Sequence, residues 1–449
     1  MGHAIAGESY CTYEGPDIIT YKVADTFGSY DCEFYGEVDG VGGFAIASTS
    51  GNPGTEVHQW AASGDGTKSP VIAMNAYRLC NGRFEQVGLS WLKHSFCAVS
   101  EAMCNCQGTS CATLGIGCAD TYWAGLNADA EAPRSEINAT TGKYEYPFFQ
   151  APCGSNSVRG KLQIPFEDRN PSQNQDCLYF FEVQYVAADA DPDWGADEYD
   201  HDNQFNNVSY RQVRFTSATN TSPIGDTVVM TPAIQAWADY SGATVAQVWT
   251  PELNGDIGLM HLGYKVTDNL DGTWNYQFNL HNQNSHRSGG SFSVPIAECV
   301  NVTNVEFRDL AYHSCELVES DDWQVDVTSD SVTWYCPENT NEWANALRWG
   351  SMYTFSFDAD APPNSGLATI GLWREGDEGA GDSIDAAIRG PLPDCEDCFG
   401  DLNGDGVINV NDVLILIAQW GGSGGDVNND GTTDVNDLLD LLNVYDTAC

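Results

Sequence analysis

Twice in its last fifty residues the chain sets short oxygen-bearing side chains at alternate positions around a glycine, and few local folds accept that pattern. In the first copy Asp401, Asn403 and Asp405 stand at positions 1, 3 and 5, Gly406 at 6, Asn409 at 9 and Asp412 at 12. The second copy follows 25 residues later as Asp426, Asn428, Asp430, Gly431, Thr432, Asp434 and Asp437. A hard cation such as calcium takes six to eight oxygens, and a twelve-residue loop supplies them from these positions, with glycine at 6 for the sharp turn. Position 7 gives its backbone carbonyl, so Val407 and Thr432 serve equally there, and Asn409 acts at position 9 directly or through water. The expected occupancy is two Ca2+ ions, one per loop. Ile408, at position 8, is apolar and expected to pack the first loop onto its twin, where Thr433 is the weaker counterpart.

Each loop leads into a run with leucine at three- and four-residue spacing, Asp412–Trp420 and Asp437–Tyr445, which predicts a helix. No helix is predicted before either loop. Loop then helix, duplicated, resembles the type I dockerin repeat, and residues 398–449 carry the resemblance. It implies calcium binding and docking to a cohesin-like partner. The match departs from the family at positions 10 and 11. Dockerins read cohesin there through small hydroxyl residues, with basic residues further along the helix. Here those positions hold Val410, Asn411, Val435 and Asn436, and residues 399–449 contain nine Asp and no Lys or Arg. The carboxylates repel one another without a cation, so the module is expected to order only with calcium. Cys398 and Cys449 bracket it, and a disulfide between them would restrict the unfolded ensemble by ~3–4 kcal/mol.

The remainder must be exported cargo. Sixteen cysteines exceed what a reducing cytosol tolerates without metal sites. Cys104-x-Cys106 and Cys395-x-x-Cys398 lack a second pair at zinc-ribbon distance. Cys97, Cys104, Cys106, Cys111 and Cys118 fall in a Gly/Ser/Thr-rich stretch that predicts a disulfide-stapled loop. No signal peptide is visible in Met1–Gly7, although Ala4-x-Ala6 looks like the tail of a cleavage site. An extracellular or cell-surface location therefore rests on the cysteines. The net charge of −46 repels nucleic acid and anionic lipid, and it suits a saline medium. No apolar run is long enough to insert in a membrane.

The expected fold class is mainly β. Residues 8–222 are read as an irregular disulfide-rich β domain, with strands at Leu178–Val186 and Ser209–Phe215 and an acidic, Asn-rich loop at Ala187–Asn207. Residues 223–390 show short strands at regular spacing and the hairpin Leu262–Asp268/Thr273–His281 around Asp271-Gly272, a pattern that resembles immunoglobulin-like sandwiches. Residues 391–397 are a linker stiffened by Pro391 and Pro393, and 398–449 are the small helical module. The phrases Arg83–Ala98 and Gly117–Asp129 resemble an uncharacterised family of exported, planctomycete-type bacterial proteins, a resemblance that brings no activity.

The cargo carries no G-x-S-x-G, H-E-x-x-H or Walker motif. Glu85, Lys93 and His94, near Trp91, together with Glu136 offer an acid–base set, beside the plainer reading of ordinary packing. His281 and His286, five apart, and His313 offer metal ligands, beside a plain loop. Thirteen tryptophans suit sugar stacking or a β core, and core is the expectation for Trp274 and Trp334. The dockerin resemblance implies association with extracellular polysaccharide, and an enzyme on this chain would be a polysaccharide-active hydrolase. The alternative is a structural or adhesive surface protein assembled through its calcium module.

Overall fold

The computed structural model describes residues 11, 13–26, 31–61, 65–190, 203–337, 341–393, 399–428 and 430–447. Ala4, Ala6, most of the acidic loop, Cys395, Cys398 and Cys449 lie outside the described residues, and with them the expected Cys398–Cys449 bridge.

The first unit is a β-sandwich with one large and one small sheet. The large sheet runs in the order 220–228, 208–217, 178–186, 71–80, 83–89, 162–165, 41–46, 32–38, with 93–94 added against 71–80. The small sheet is 19–23, 48–51, 118–122, 101–102. Leu178–Val186, predicted with these bounds, lies mid-sheet and is buried almost throughout. Its alternation explains why. Phe181, Val183 and Tyr185 enter the core between the sheets with Phe44, Ile72 and Met74. Phe180 points to the other face and joins Tyr77, Phe84 and Trp237 in a second cluster. Glu182 and Gln184 alternate with Phe181, Val183 and Tyr185 and are buried as well, so the strand is covered on both faces, one apolar and one partly polar.

The second unit packs two five-stranded sheets, 244–251, 257–268, 274–282, 351–359, 302–308 and 324–327, 331–335, 289–295, 364–372, 383–390. Phe278, Phe292, Trp334, Phe355 and Phe357 fill the space between them. The predicted hairpin is present as Ile257–Asp268 and Trp274–Asn282, with Gly272 at φ +94° in its turn. Trp334 is buried in this core and Trp274 packs against it. The strand Asn220–Val228 crosses residue 222 and belongs to the first unit's sheet, so the second unit's sheets begin at Thr244.

Between the units lies a polar layer. Glu182, 0% exposed, accepts from Asn75 Nδ2 at 2.8 Å, Tyr77 OH at 2.9 Å and the Ala233 amide at 2.7 Å. Arg134, 2% exposed, donates to Ser90 O, Met74 O and Asn75 Oδ1 in the first unit and to Gly350 O in the second, at 2.7–3.0 Å. Cys153–Cys315 adds a covalent tie between the units. The staples Cys97–Cys111 and Cys106–Cys118 close the predicted loop, and Cys11–Cys104 ties it to the N-terminal segment. Cys80–Cys177 pins two neighbouring strands of the large sheet.

The C-terminal module has helices Val410–Ala418 and Val435–Asn443 around Ile408, Leu416, Val427 and Leu441. Both begin two residues before the expected Asp412 and Asp437. Asn409 and Asp434 act as N-caps, and Asp412 and Asp437 at the third helical position return a bond to the cap amide. That reciprocal pair is a capping box, which absorbs the loop's last residues into the helix.

Replacing Arg134 with Met should cost about 4 kcal/mol, because four buried acceptors lose their charged donor. Urea titration should show both units losing stability together, and an unchanged midpoint would refute the bridging role.

Candidate functional site

The two C-terminal loops share one hydrogen-bond scheme. Asp401 Oδ1 and Oδ2 accept from the amides of Gly404 (2.9 Å) and Gly406 (2.8 Å), and Asn403 Oδ1 accepts from Asp405 at 2.7 Å. In the second loop Asp426 Oδ2 accepts from Gly431 at 2.7 Å and Asn428 Oδ1 from Asp430 at 2.9 Å. Asp412 takes amides from Leu402, Asn403 and Asn409, and Asp437 takes those of Val427, Asn428 and Asp434. Asp412 is buried, and burial alone would raise its carboxyl, but these amides outweigh it and hold the group below the ordinary range. For Asp437 the amides, that of Asp434 foremost, act in the same direction. The closing aspartate of each loop is thus held as an anion.

Carboxylate oxygens of Asp401, Asp405 and Asp412 lie within 4.8 Å of one another, the one such acidic triad among the described residues. An all-oxygen set of this kind fits a hard divalent cation. Val407 O accepts from Asn409 Nδ2 at 3.0 Å, which keeps positions 7 and 9 on the same side of the loop. Asp430, Thr432 and Asp434 take matching loop positions, and the Asp430 carboxylate accepts from the Thr432 amide at 3.0 Å. Ile408 joins Val427 of the second loop in the core, while its backbone pairs with Asp446 and Thr447 beyond the second helix. Thr433 pairs in the same way with Gly421 and Gly422 beyond the first.

The module also leaves apolar side chains in water at matched positions. Val410, Leu414, Ile417 and Trp420 on the first repeat, and Val435, Leu439, Leu442 and Tyr445 on the second, are each 42–59% exposed. Each set follows helical spacing, and the two are offset by 25 residues like the loops.

The acid–base candidates do not come together. Glu85 pairs across the sheet with Arg78 and His94 with Val71, seven residues away on the same strand, or about 23 Å. Lys93 pairs with Glu131 at 2.5 Å. His94 bonds Gly66 O at 2.8 Å and stacks on Tyr146, with Trp91 buried nearby in sequence. Glu136 caps the amides of Phe149 and Gln150, both at 2.7 Å. The histidines do not converge either. His281 faces His261 across two strands with ring centroids 5.8 Å apart, His286 lies in the following turn, and His313 bonds Leu89 O at 2.9 Å. Cys104 and Cys106 are consumed by separate disulfides.

What sequence reasoning missed is a charged cleft of about 800 Å³ between the units, lined by Arg78, Arg83, Glu85, Lys265, Glu306 and Arg308 among others. Glu85 is its floor. Arg78, Arg83 and Arg308 approach its carboxylate at 2.9, 2.7 and 3.0 Å. Burial would raise this carboxyl, but the guanidiniums of Arg308, Arg78 and Arg83 overcome it and hold the group ionised. One available signal was Asn81-Gly82, a strong hairpin turn pair, which closes strands Val71–Cys80 and Arg83–Leu89 over this cleft.

Fold and site define a class: a disulfide-stapled, mainly β protein of an oxidising, extracellular setting, with a small helical tail. No described helix is long and apolar enough to cross a membrane. No protein-family model matches the chain, and no curated protein does. Among solved structures, a serine-rich repeat adhesion glycoprotein (Srr1) from Streptococcus agalactiae aligns over 86% of this chain and 99% of its own, at 11% identity and a TM-score of 0.21, too low to carry any inference.

Three outcomes are expected. Burial pushes His261, His286 and His313 down to about 4 and His281 to about 3, from an ordinary 6.5. At these four sites the unfolded chain then binds more protons below pH 6.5, so the histidine contribution to unfolding free energy should fall as pH drops from 6.5 toward 4, against the buried carboxyls of Asp17 and Asp120 (raised to about 7) and Asp309 (raised to about 6), which act in the opposite direction. Both ring nitrogens of His281 lack partners among the described residues, so His281→Leu should lose less unfolding free energy than the native chain between pH 6.5 and 4, without loss at pH 7.5. Glu85→Gln should cost about 2 kcal/mol by leaving the partly buried guanidiniums of Arg78, Arg83 and Arg308 short of charge, measured by urea unfolding at pH 7.

Proposed function

We propose that this chain is an exported β cargo joined to its partner by a calcium-loaded docking tail. One Ca2+ is held by Asp401, Asn403, Asp405, the Val407 carbonyl, Asn409 and Asp412. A second is held by Asp426, Asn428, Asp430, the Thr432 carbonyl, Asp434 and Asp437. Support comes from the acidic triad of the first loop and from the shared hydrogen-bond scheme of both. The observation that carries docking is the exposed apolar stripe repeated on both helices. A small acidic module in water gains nothing by exposing eight large apolar groups, and a patch of this kind marks a protein-binding face. The partner is cohesin-like, and it reads this apolar face in place of the hydroxyl and basic contacts that the tail lacks.

The cargo half of the proposal is association with extracellular polysaccharide. Trp123 and Trp249 stay 45% and 47% exposed, offering flat apolar faces of the kind that stack on sugars. Binding is favoured over hydrolysis at the cleft, because a general acid must be protonated at working pH and Glu85 is held as the anion. A structural or adhesive spacer is the second reading, favoured by the buried polar seam that locks the two sandwiches together.

Calorimetry on the whole chain should record two calcium ions per molecule, with Asp412→Ala and Asp437→Ala each removing one. Chelator should reduce helical circular dichroism, and Leu414→Asp with Leu439→Asp should abolish partner capture while leaving calcium uptake intact. Absence of calcium heat, with a spectrum indifferent to chelator, would sink the docking tail. Calcium-dependent oligomers with no affinity for any glycan would turn the cargo reading to the spacer.

A further inference from the structure

The chain holds 18 basic residues against 64 acidic ones, yet Arg78, Arg83, Lys265 and Arg308 all line the same cleft between the units. Glu85 and Glu306 are the carboxylates in its lining, and Asp168 stands behind it, bonded to Arg78 and Arg308 at 2.9 Å each. The cleft thus keeps a local excess of positive charge on a molecule of net charge −46. The carboxylates hold the guanidiniums in place: Arg83 spans Glu85 at 2.7 Å and Glu306 at 2.5 Å, and Arg308 spans Glu85 at 3.0 Å and Asp168. Groups fixed in this way lose little freedom when they bind a ligand.

Donor capacity is left over. Lys265 Nζ bonds Ser241 Oγ at 2.6 Å and pairs with no carboxylate among the described residues. Arg78 Nε is buried without a partner among the described residues, and Arg78 is only 11% exposed. The cleft has no aromatic floor for a neutral sugar, since the ring of Phe307 is stacked on Trp323 at 5.7 Å and an interplanar angle of 7°. Fixed guanidiniums and an ammonium group select planar or tetrahedral oxyanions. The acidic surroundings reject dense polyanions, so the charge on the ligand must be sparse.

The geometry points to this cleft as a binding site for a single oxyanion, a uronate carboxylate or a sulfate ester, carried on an otherwise neutral extracellular glycan. The assignment rests on the glycan half of the function proposed above and is independent of the calcium tail.

The test is calorimetry on the whole chain in calcium buffer. The probes are a xylo-oligosaccharide bearing one glucuronate, the same oligosaccharide with that carboxyl reduced to an alcohol, and a monosulfated oligosaccharide. One or both acidic probes should bind at least tenfold tighter than the reduced one, and affinity should fall as salt rises. Lys265→Glu should weaken acidic-probe binding by about tenfold or more, with an unchanged circular dichroism spectrum. Lys265→Gln should lie between it and the native chain, which guards against a folding artefact. Equal binding of acidic and reduced probes, indifferent to Lys265→Glu, would overturn the inference and leave the wider glycan proposal standing. Capture of a carboxylate-rich peptide in place of either acidic probe would also overturn it. Binding of no glycan at all would overturn both.

Discussion

Arg134 and Glu182 sit where the first unit's large sheet meets the second unit, and the architecture depends on that seam being satisfied. Two ionisable groups with almost no solvent contact would each be costly alone. Arg134 is held by four acceptors drawn from both units, and Glu182 accepts from three donors against a burial that pushes its carboxyl upward. The seam is therefore directional where an apolar interface would tolerate sliding. Trp237 stacks on Phe84 beside it, and Phe84 on Tyr77, so apolar burial adds strength to a geometry that the polar groups fix.

The cleft is a consequence of this docking. Strand Arg83–Leu89 contributes Glu85, and strand Val302–Arg308 contributes Glu306 and Arg308, so neither unit alone assembles the charge cluster. Its glutamate is kept ionised by the arginines that it orients. That arrangement suits recognition of an oxyanion and is wrong for donating a proton.

The tail follows different physics. Its core of Ile408, Leu416, Val427 and Leu441 is small, and its carboxylates converge in the first loop without a basic residue nearby in sequence. Here a cation would have to offset repulsion that packing cannot, whereas the two larger units are tied by disulfides and filled by extensive apolar cores. The helices hold their polar ends inward through capping boxes and turn their apolar stripes outward. Folding and exposure of the apolar stripes are thus coupled in one short segment.

Local chemistry was legible in the chain itself. Oxygen-bearing side chains at fixed loop positions, leucine spacing after each loop, Asp271-Gly272 in a hairpin and the run Leu178–Val186 all act over a few residues, so the sequence by itself determined the loops, the tail helices and several strands. The helix starts shifted by two residues because the caps Asn409 and Asp434 recruit the loop's closing aspartates. Only tertiary structure decided which face of Leu178–Val186 met which core, that Glu85 and His94 part company along one strand, and that Glu85 gathers arginines from two units. These are long-range juxtapositions, with Arg308 lying 223 residues from Glu85. A carboxylate's partners at that distance are set by how sheets dock, and no periodicity along the chain encodes it.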